Sequence, residues 1–184
     1  MDWQRIAKRI RVPLGFAFAV LYVALARPSA VSIAAGAAVA AVGVLIRALA
    51  SGNVRKNEQL AMTGPYAYCR NPLYLGSIVI GVGFALAARR WEIAVALAAM
   101  FAAIYLPVIR GEEAWLGAHF ADYPEYARQV PRLFPRFTPA RIGISGDGGG
   151  FSRELYLKHR EYNALIGSLV VVAILIAKLL WTGR

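Results

Sequence analysis

A chain of 184 residues that is 59% hydrophobic and 17% charged, with a mean hydropathy of +0.51, is too apolar for a soluble domain of its size. The net charge of +11 would suggest nucleic acid in a soluble protein. Here the basic residues flank apolar runs, so loops facing anionic lipid account for them and no nucleic-acid partner is expected. The one cysteine and the two distant histidines, His119 and His159, give no internal disulfide and no metal-ligand spacing, so no metal is expected.

In chain order, basic Arg5, Lys8, Arg9 and Arg11 precede a first apolar segment, Val12–Ala26. A cleaved signal peptide is the competing reading of that start, with "ALARPSA" as its processing site. A second apolar segment follows almost at once, so a helical hairpin turning at Arg27-Pro28 explains both. The second segment, Ser29–Ile46, is rich in Ala and Gly, as closely packed membrane helices are. Arg47 closes it. A polar connection over 48–71 carries Arg55, Lys56, Asn57 and Glu58. A third segment, Pro72–Ala88, opens on a proline whose missing N–H suits a first helical turn. The fourth, Ile93–Ile109, is expected to be interrupted by Pro107, and the fifth is Asn163–Ala177.

Five crossings follow, with the N-terminus inside. Four Lys and Arg residues lie before the first segment, four in 47–71 and eight in 110–160, against Arg27, Arg89 and Arg90 in the outer turns. The expected fold is an all-α integral membrane bundle of about five transmembrane helices plus a cytoplasmic amphipathic helix. That helix is Gly111–Tyr123, with Trp115, Leu116, His119, Phe120 and Tyr123 on one face. Asp122 is placed to cap a short helix beginning at Pro124. "VPRLFPRF" is too rich in proline for a helix and should lie along the surface. Residues 1–140 form the core, with the motif-bearing half at 53–138. Residues 141–150, ending in "GDGGG", read as a flexible linker. Residues 151–184 are a juxtamembrane segment and the last transmembrane helix, in which Arg153, Glu154, His159, Arg160 and Glu161 read as a solvated face. Cys69 reads as a small packing residue, having no base close in sequence.

Two groups of residues point to chemistry. "TGPYAYCRNPLYLG", Thr63–Gly76, packs two prolines, three tyrosines, two glycines, Cys69, Arg70 and Asn71 between two apolar segments. It is wrong for either neighbour, and its order suggests a pocket wall beside a helix N-terminus. Glu112-Glu113 follows the fourth segment directly. Adjacent helical positions point about 100° apart, so one carboxylate can face inward to a cationic ligand while the other faces solvent.

Together, "GPYAYCRNPLYLG" and, about forty residues later, "EEAWL" with a Phe, two tyrosines and "VPRLFP" resemble the isoprenylcysteine carboxyl methyltransferase family and its phospholipid methyltransferase relatives. The family pattern is roughly G-P-Y-x-Y-x-R-[HN]-P-x-Y-x-G, then E-E-x-x-L and V-P-x-x-x-P. The resemblance implies a membrane methyltransferase that uses S-adenosylmethionine, releases S-adenosylhomocysteine and acts on a lipophilic or lipid acceptor. It implies cofactor contacts from Glu58, Gln59, Leu60, Ala61, Tyr66, Asn71, Pro72, Leu73, Tyr74 and Glu112. For catalysis, Arg70 or Arg110 would orient an anionic acceptor, and Glu113 is the nearest base for a neutral one. Asn71 stands where many members carry His, and an amide cannot titrate. Val108 stands where the prenylcysteine enzymes carry an arginine, which points away from a prenylcysteine carboxylate. Two other readings are a membrane reductase of related topology, with Arg55 and Lys56 near the 2′-phosphate of NADPH, and a non-catalytic membrane scaffold.

Overall fold

The computed structural model describes residues 3–55, 58–140 and 150–182, the side chains of 3–12 excepted. The expected linker up to Gly149, together with Lys56, Asn57 and the basic side chains before Val12, lies outside the described residues. Among those described, all regular structure is helical: α1 Trp3–Leu25, α2 Ala30–Gly52, a 3₁₀ turn Gly64–Ala67, α3 Pro72–Ala88, α4 Trp91–Met100, a π turn Phe101–Tyr105, α5 Leu106–His119, α6 Tyr123–Gln129, α7 Arg153–Lys158 and α8 Tyr162–Thr182. Three stretches are long and apolar enough to cross a membrane: Ala30–Gly52, Trp91–His119 and Tyr162–Thr182. Pro13–Leu25 and Pro72–Ala88 are apolar but shorter. The protein is therefore an integral membrane helical bundle.

Boundaries differ from the sequence reading. Helix α2 runs past Arg47, expected to close it, as far as Gly52. Helix α1 begins before Pro13 and runs through it. Pro107 does not interrupt the fourth segment. It lacks the N–H that would bond the carbonyl four residues back, and the chain widens into a π turn over Phe101–Tyr105 just before it. The helix then continues as α5 to His119. The amphipathic helix expected at Gly111–Tyr123 is thus the end of a longer helix, broken at Phe120.

The chain divides into two compact units. The first comprises Met1–Ala40, Ile80–Ala114 and Gly167–Arg184. Tyr22, Ala26, Ile33, Ala88, Ile93 and Leu175 are buried in its core. Small residues set its closest helix approach: a Cβ on Gly36 would collide with the Gly83 carbonyl, and one on Gly83 with the Gly36 carbonyl. Its turns are tied by hydrogen bonds, with Arg27 N–H donating to the Ala88 carbonyl at 2.9 Å and Ser32 Oγ donating to the Ala87 carbonyl at 3.0 Å. Lys178 Nζ donates to the carbonyls of Val23 and Ala24, satisfying groups left over at the end of α1.

The second unit comprises Ala41–Val79 and Trp115–Ile166. Arg47, late in α2, donates from Nε and Nη2 to Glu161 Oε2 at 3.0 and 2.7 Å. Its Nη1 donates to the Leu73 carbonyl at 3.2 Å and to Ser77 Oγ on α3. Gly76 has no Cβ because the Gly43 carbonyl and Arg47 occupy that space. Around the end of α2, Ser152 N–H donates to the Gly52 carbonyl at 2.9 Å, and His159 Nδ1 lies 3.1 Å from the Ser51 carbonyl. The expectation of a solvated face at 153–161 is corrected for these residues. The Glu161 side chain is only 10% exposed, and both it and His159 are bound to α2 because α2 ends in carbonyls and a guanidinium that need partners.

Arg47→Met should cost about 3 kcal/mol or more by leaving the Glu161 carboxylate without its counter-charge. Adding Glu161→Leu should recover part of that loss, a non-additivity that unfolding of the four variants in detergent measures.

Candidate functional site

In the second unit the 63–71 stretch makes a compact knot. Gly64 has φ +57°, a left-handed conformation that glycine adopts without strain. Its missing Cβ leaves space taken by the Asn53 side chain. The 3₁₀ turn Gly64–Ala67 follows and buries Tyr66 and Ala67. Pro72 is buried at the first turn of α3, and the carbonyl of Asn71 accepts from the N–H groups of Tyr74 and Leu75 at 3.1 and 3.0 Å.

The chain at 129–140 straps this knot in place. Arg70 N–H donates to the Pro131 carbonyl at 2.9 Å, Arg136 N–H to the Tyr68 carbonyl at 3.0 Å and Ala140 N–H to the Ala67 carbonyl at 2.9 Å. Asn71 Nδ2 donates to the Arg132 carbonyl at 3.2 Å. Cys69 Sγ lies 3.4 and 3.3 Å from the carbonyls of Arg132 and Leu133. Pro131 and Pro135 keep the strap extended and aim its carbonyls inward. Phe134 and Phe137 point outward, 86% and 104% exposed, so the surface placement expected for "VPRLFPRF" holds.

Helix α6 supports the knot from the other side. Tyr126 Oη donates to the Tyr66 carbonyl at 2.9 Å, and Arg70 Nη1 donates to Tyr123 Oη at 3.4 Å. Tyr123, Tyr126 and Val130 are a buried cluster against which Leu60, Met62, Leu116 and Phe120 pack. Burial pushes the Tyr126 phenol and the Cys69 thiol up from their ordinary values. Both therefore stay protonated as hydrogen-bond donors, and Cys69 is a packing residue as expected. Asp122 occupies the N-cap position of α6 but makes no side-chain cap bond. That corrects the expected cap: its φ of −79° and ψ of −9° are helical, and a capping residue needs an extended backbone.

Of the residues assigned from the sequence, Tyr66, Arg70, Asn71, Pro72, Leu73 and Tyr74 form this one knot, with Leu60 and Ala61 half-buried on its approach. Glu58 and Gln59 are exposed, Glu58 lying 3.9 Å from Lys158. In the first unit the middle of α5 carries the others. Arg110 and Glu112 are exposed, whereas Glu113 is 8% exposed beside fully buried Val108 and Ile109. The buried member of the Glu112–Glu113 pair is thus Glu113. Sequence reasoning overlooked Arg47 and the support given by Tyr126. The tyrosine pair and the prolines of "VPRLFP" were the visible signals for this support.

A family model described as phospholipid methyltransferase matches residues 31–123, half of the chain. Over 84 residues the chain is 40% identical to the nickel-cobalt-cadmium resistance protein NccN of Alcaligenes xylosoxydans xylosoxydans, a match covering 46% of this chain and 39% of that protein. Over 103 residues it is 38% identical to the cobalt-zinc-cadmium resistance protein CzcN of Cupriavidus metallidurans, covering 56% and 47%. The chain spans less than half the length of either relative. No solved structure matches it.

Cys69 should resist iodoacetamide at pH 8 in the folded protein, because burial lowers its thiolate fraction, and should react at least about tenfold faster once unfolded. Tyr126→Phe should remove about 1 kcal/mol of stability by deleting the bond to the Tyr66 carbonyl and should speed that labelling.

Proposed function

The chain belongs to the phospholipid methyltransferase family, and from that premise we propose that it transfers a methyl group from S-adenosylmethionine to an acceptor held in the membrane. The observation that carries this reading is the knot itself: a guanidinium, an amide and tyrosines held at the start of α3 by the main chain of the strap and by the tyrosines of α6. That donor set fits a cofactor carrying a carboxylate, an ammonium and an aromatic base.

The roles fall on two sets of residues. In the second unit, the stretch Glu58–Ala61 lines the cofactor through its backbone, and Tyr66, Asn71, Pro72, Leu73 and Tyr74 grip it. The resemblance assigns the Glu112 carboxylate to the cofactor's positive charge. The cofactor, when bound, supplies an electrophilic methyl carbon on a sulfonium. The chain must hold the acceptor in line with that carbon and keep water out, and positioning of this kind can supply much of the acceleration. Arg70 or Arg110 orients an anionic acceptor. For a neutral amine or hydroxyl, Glu113 is the base, since its burial shields a transferred proton from bulk water. The distribution of Lys and Arg puts the N-terminus and this site on the cytoplasmic side, where a soluble cofactor is supplied. The names of the two relatives suggest that the methylated product serves metal tolerance.

Calorimetric titration of the full chain in detergent with S-adenosylhomocysteine tests the reading. The wild-type protein should bind, and Glu112→Gln and Tyr74→Ala should each weaken binding by about tenfold or more, about 1.4 kcal/mol. A wild-type protein that ignores S-adenosylhomocysteine but binds NADPH in the same buffer would sink it.

A further inference from the structure

The first unit contains a cavity of about 370 Å³ where α1 and α8 end and α4 begins, a volume within the ~300–1,000 Å³ range of ligand pockets. Arg27, Arg90 and Lys178 line it, with Thr182 beside them. The acid at this end is Glu92, which holds Arg90 Nη2 at 2.9 Å. Among the described residues of this unit the other acids are Glu112 and Glu113. They lie at the far end of the same Trp91–His119 stretch, about 30 Å away at 1.5 Å per residue. Three cations therefore share one cavity with a single nearby carboxylate.

Their donors are not all used. Lys178 spends two of its three on the carbonyls of Val23 and Ala24. Arg90 Nε is buried and has no acceptor among the described residues. Like charges lining one cavity repel, and an anion between them relieves that repulsion. The depth of the cavity is marked independently. Trp91 and Trp181, 73% and 85% exposed, stand at the same helix ends, and indoles exposed on membrane helices settle at the headgroup level. The cations also need a reason of their own, since on the orientation proposed above they lie in outer turns, where Lys and Arg are scarce.

We propose that this cavity binds a phosphate oxyanion, and that its depth favours the headgroup phosphate of an anionic lipid as the source. Arg27 and Arg90 supply charge-assisted hydrogen bonds, and the third donor of Lys178 completes the set. The site shares no residue with those assigned to methyl transfer, and its test does not depend on them.

The full chain, purified in detergent and stripped of lipid, is titrated with phosphatidylglycerol, phosphatidylcholine and inorganic phosphate. Retention is read by native mass spectrometry and stabilisation by thermal unfolding. Phosphatidylglycerol should bind in preference to phosphatidylcholine. Arg27→Gln with Arg90→Gln should weaken it about tenfold or more, and Arg90→Lys, which keeps the charge, should lose less. Stabilisation by inorganic phosphate with the same dependence on these residues, and none by phosphatidylglycerol, would keep the phosphate site and assign it to the free anion. If the double variant fails to fold, exposed Arg27→Gln alone should still weaken binding several-fold. Equal binding of lipid and phosphate by the wild type and by whichever folded variant is used would overturn the proposal.

Discussion

The second unit depends on one charge pair. Arg47 and Glu161 are far apart in sequence, and their side chains are 23% and 10% exposed. A guanidinium so placed must spend its donors inside the protein, and Arg47 spends them on two elements: α3, through the Leu73 carbonyl and Ser77, and the turn before α8, through Glu161. Leu73 and Tyr74 belong to the first turn of α3, next to Asn71. The pair therefore fixes the direction in which the proposed cofactor residues leave the loop. Gly76 allows the close approach that brings Arg47 within reach.

Around that anchor the functional stretch is held mostly through its backbone. The strap at 129–140 binds the main chain of Ala67, Tyr68 and Arg70, and Tyr126 binds the carbonyl of Tyr66. Holding a loop this way keeps its side chains in position beforehand, which reduces the ordering cost of binding. It also explains why a segment with two prolines and two glycines can be rigid. Its turns are set by residue type, and its remaining polar groups are met by a second extended segment.

The helical class, the apolar segments and the knot were legible because each rests on local properties: runs of hydrophobic residues, Gly-Pro turn chemistry and a proline at a helix start. Phe134 and Phe137 were legible for the same reason. What could not be read was long-range or depended on a competition. Glu161 and His159 look like solvent residues until the carbonyls and guanidinium at the end of α2 are placed beside them. Asp122 has the chemistry of a cap but not the backbone. Pro107 carries a breaker's signal, and the sequence does not say that the helix absorbs it by widening rather than stopping.

That widening has an outcome at the other end of the helix. A π turn holds one residue more than an α-helix would over the same arc, so every later side chain is turned by the angle of one residue, about 100°. In an uninterrupted helix the orientation now held by Glu113 would belong to Glu112. The stretch Phe101–Tyr105 thus acts as a phase setting for the two adjacent carboxylates, choosing which is enclosed and which meets water. Regularising that turn with every residue kept would enclose Glu112 and carry Glu113 round to the exposed orientation Ala114 now holds, whereas deleting one residue there would absorb the bulge and leave both carboxylates as they are.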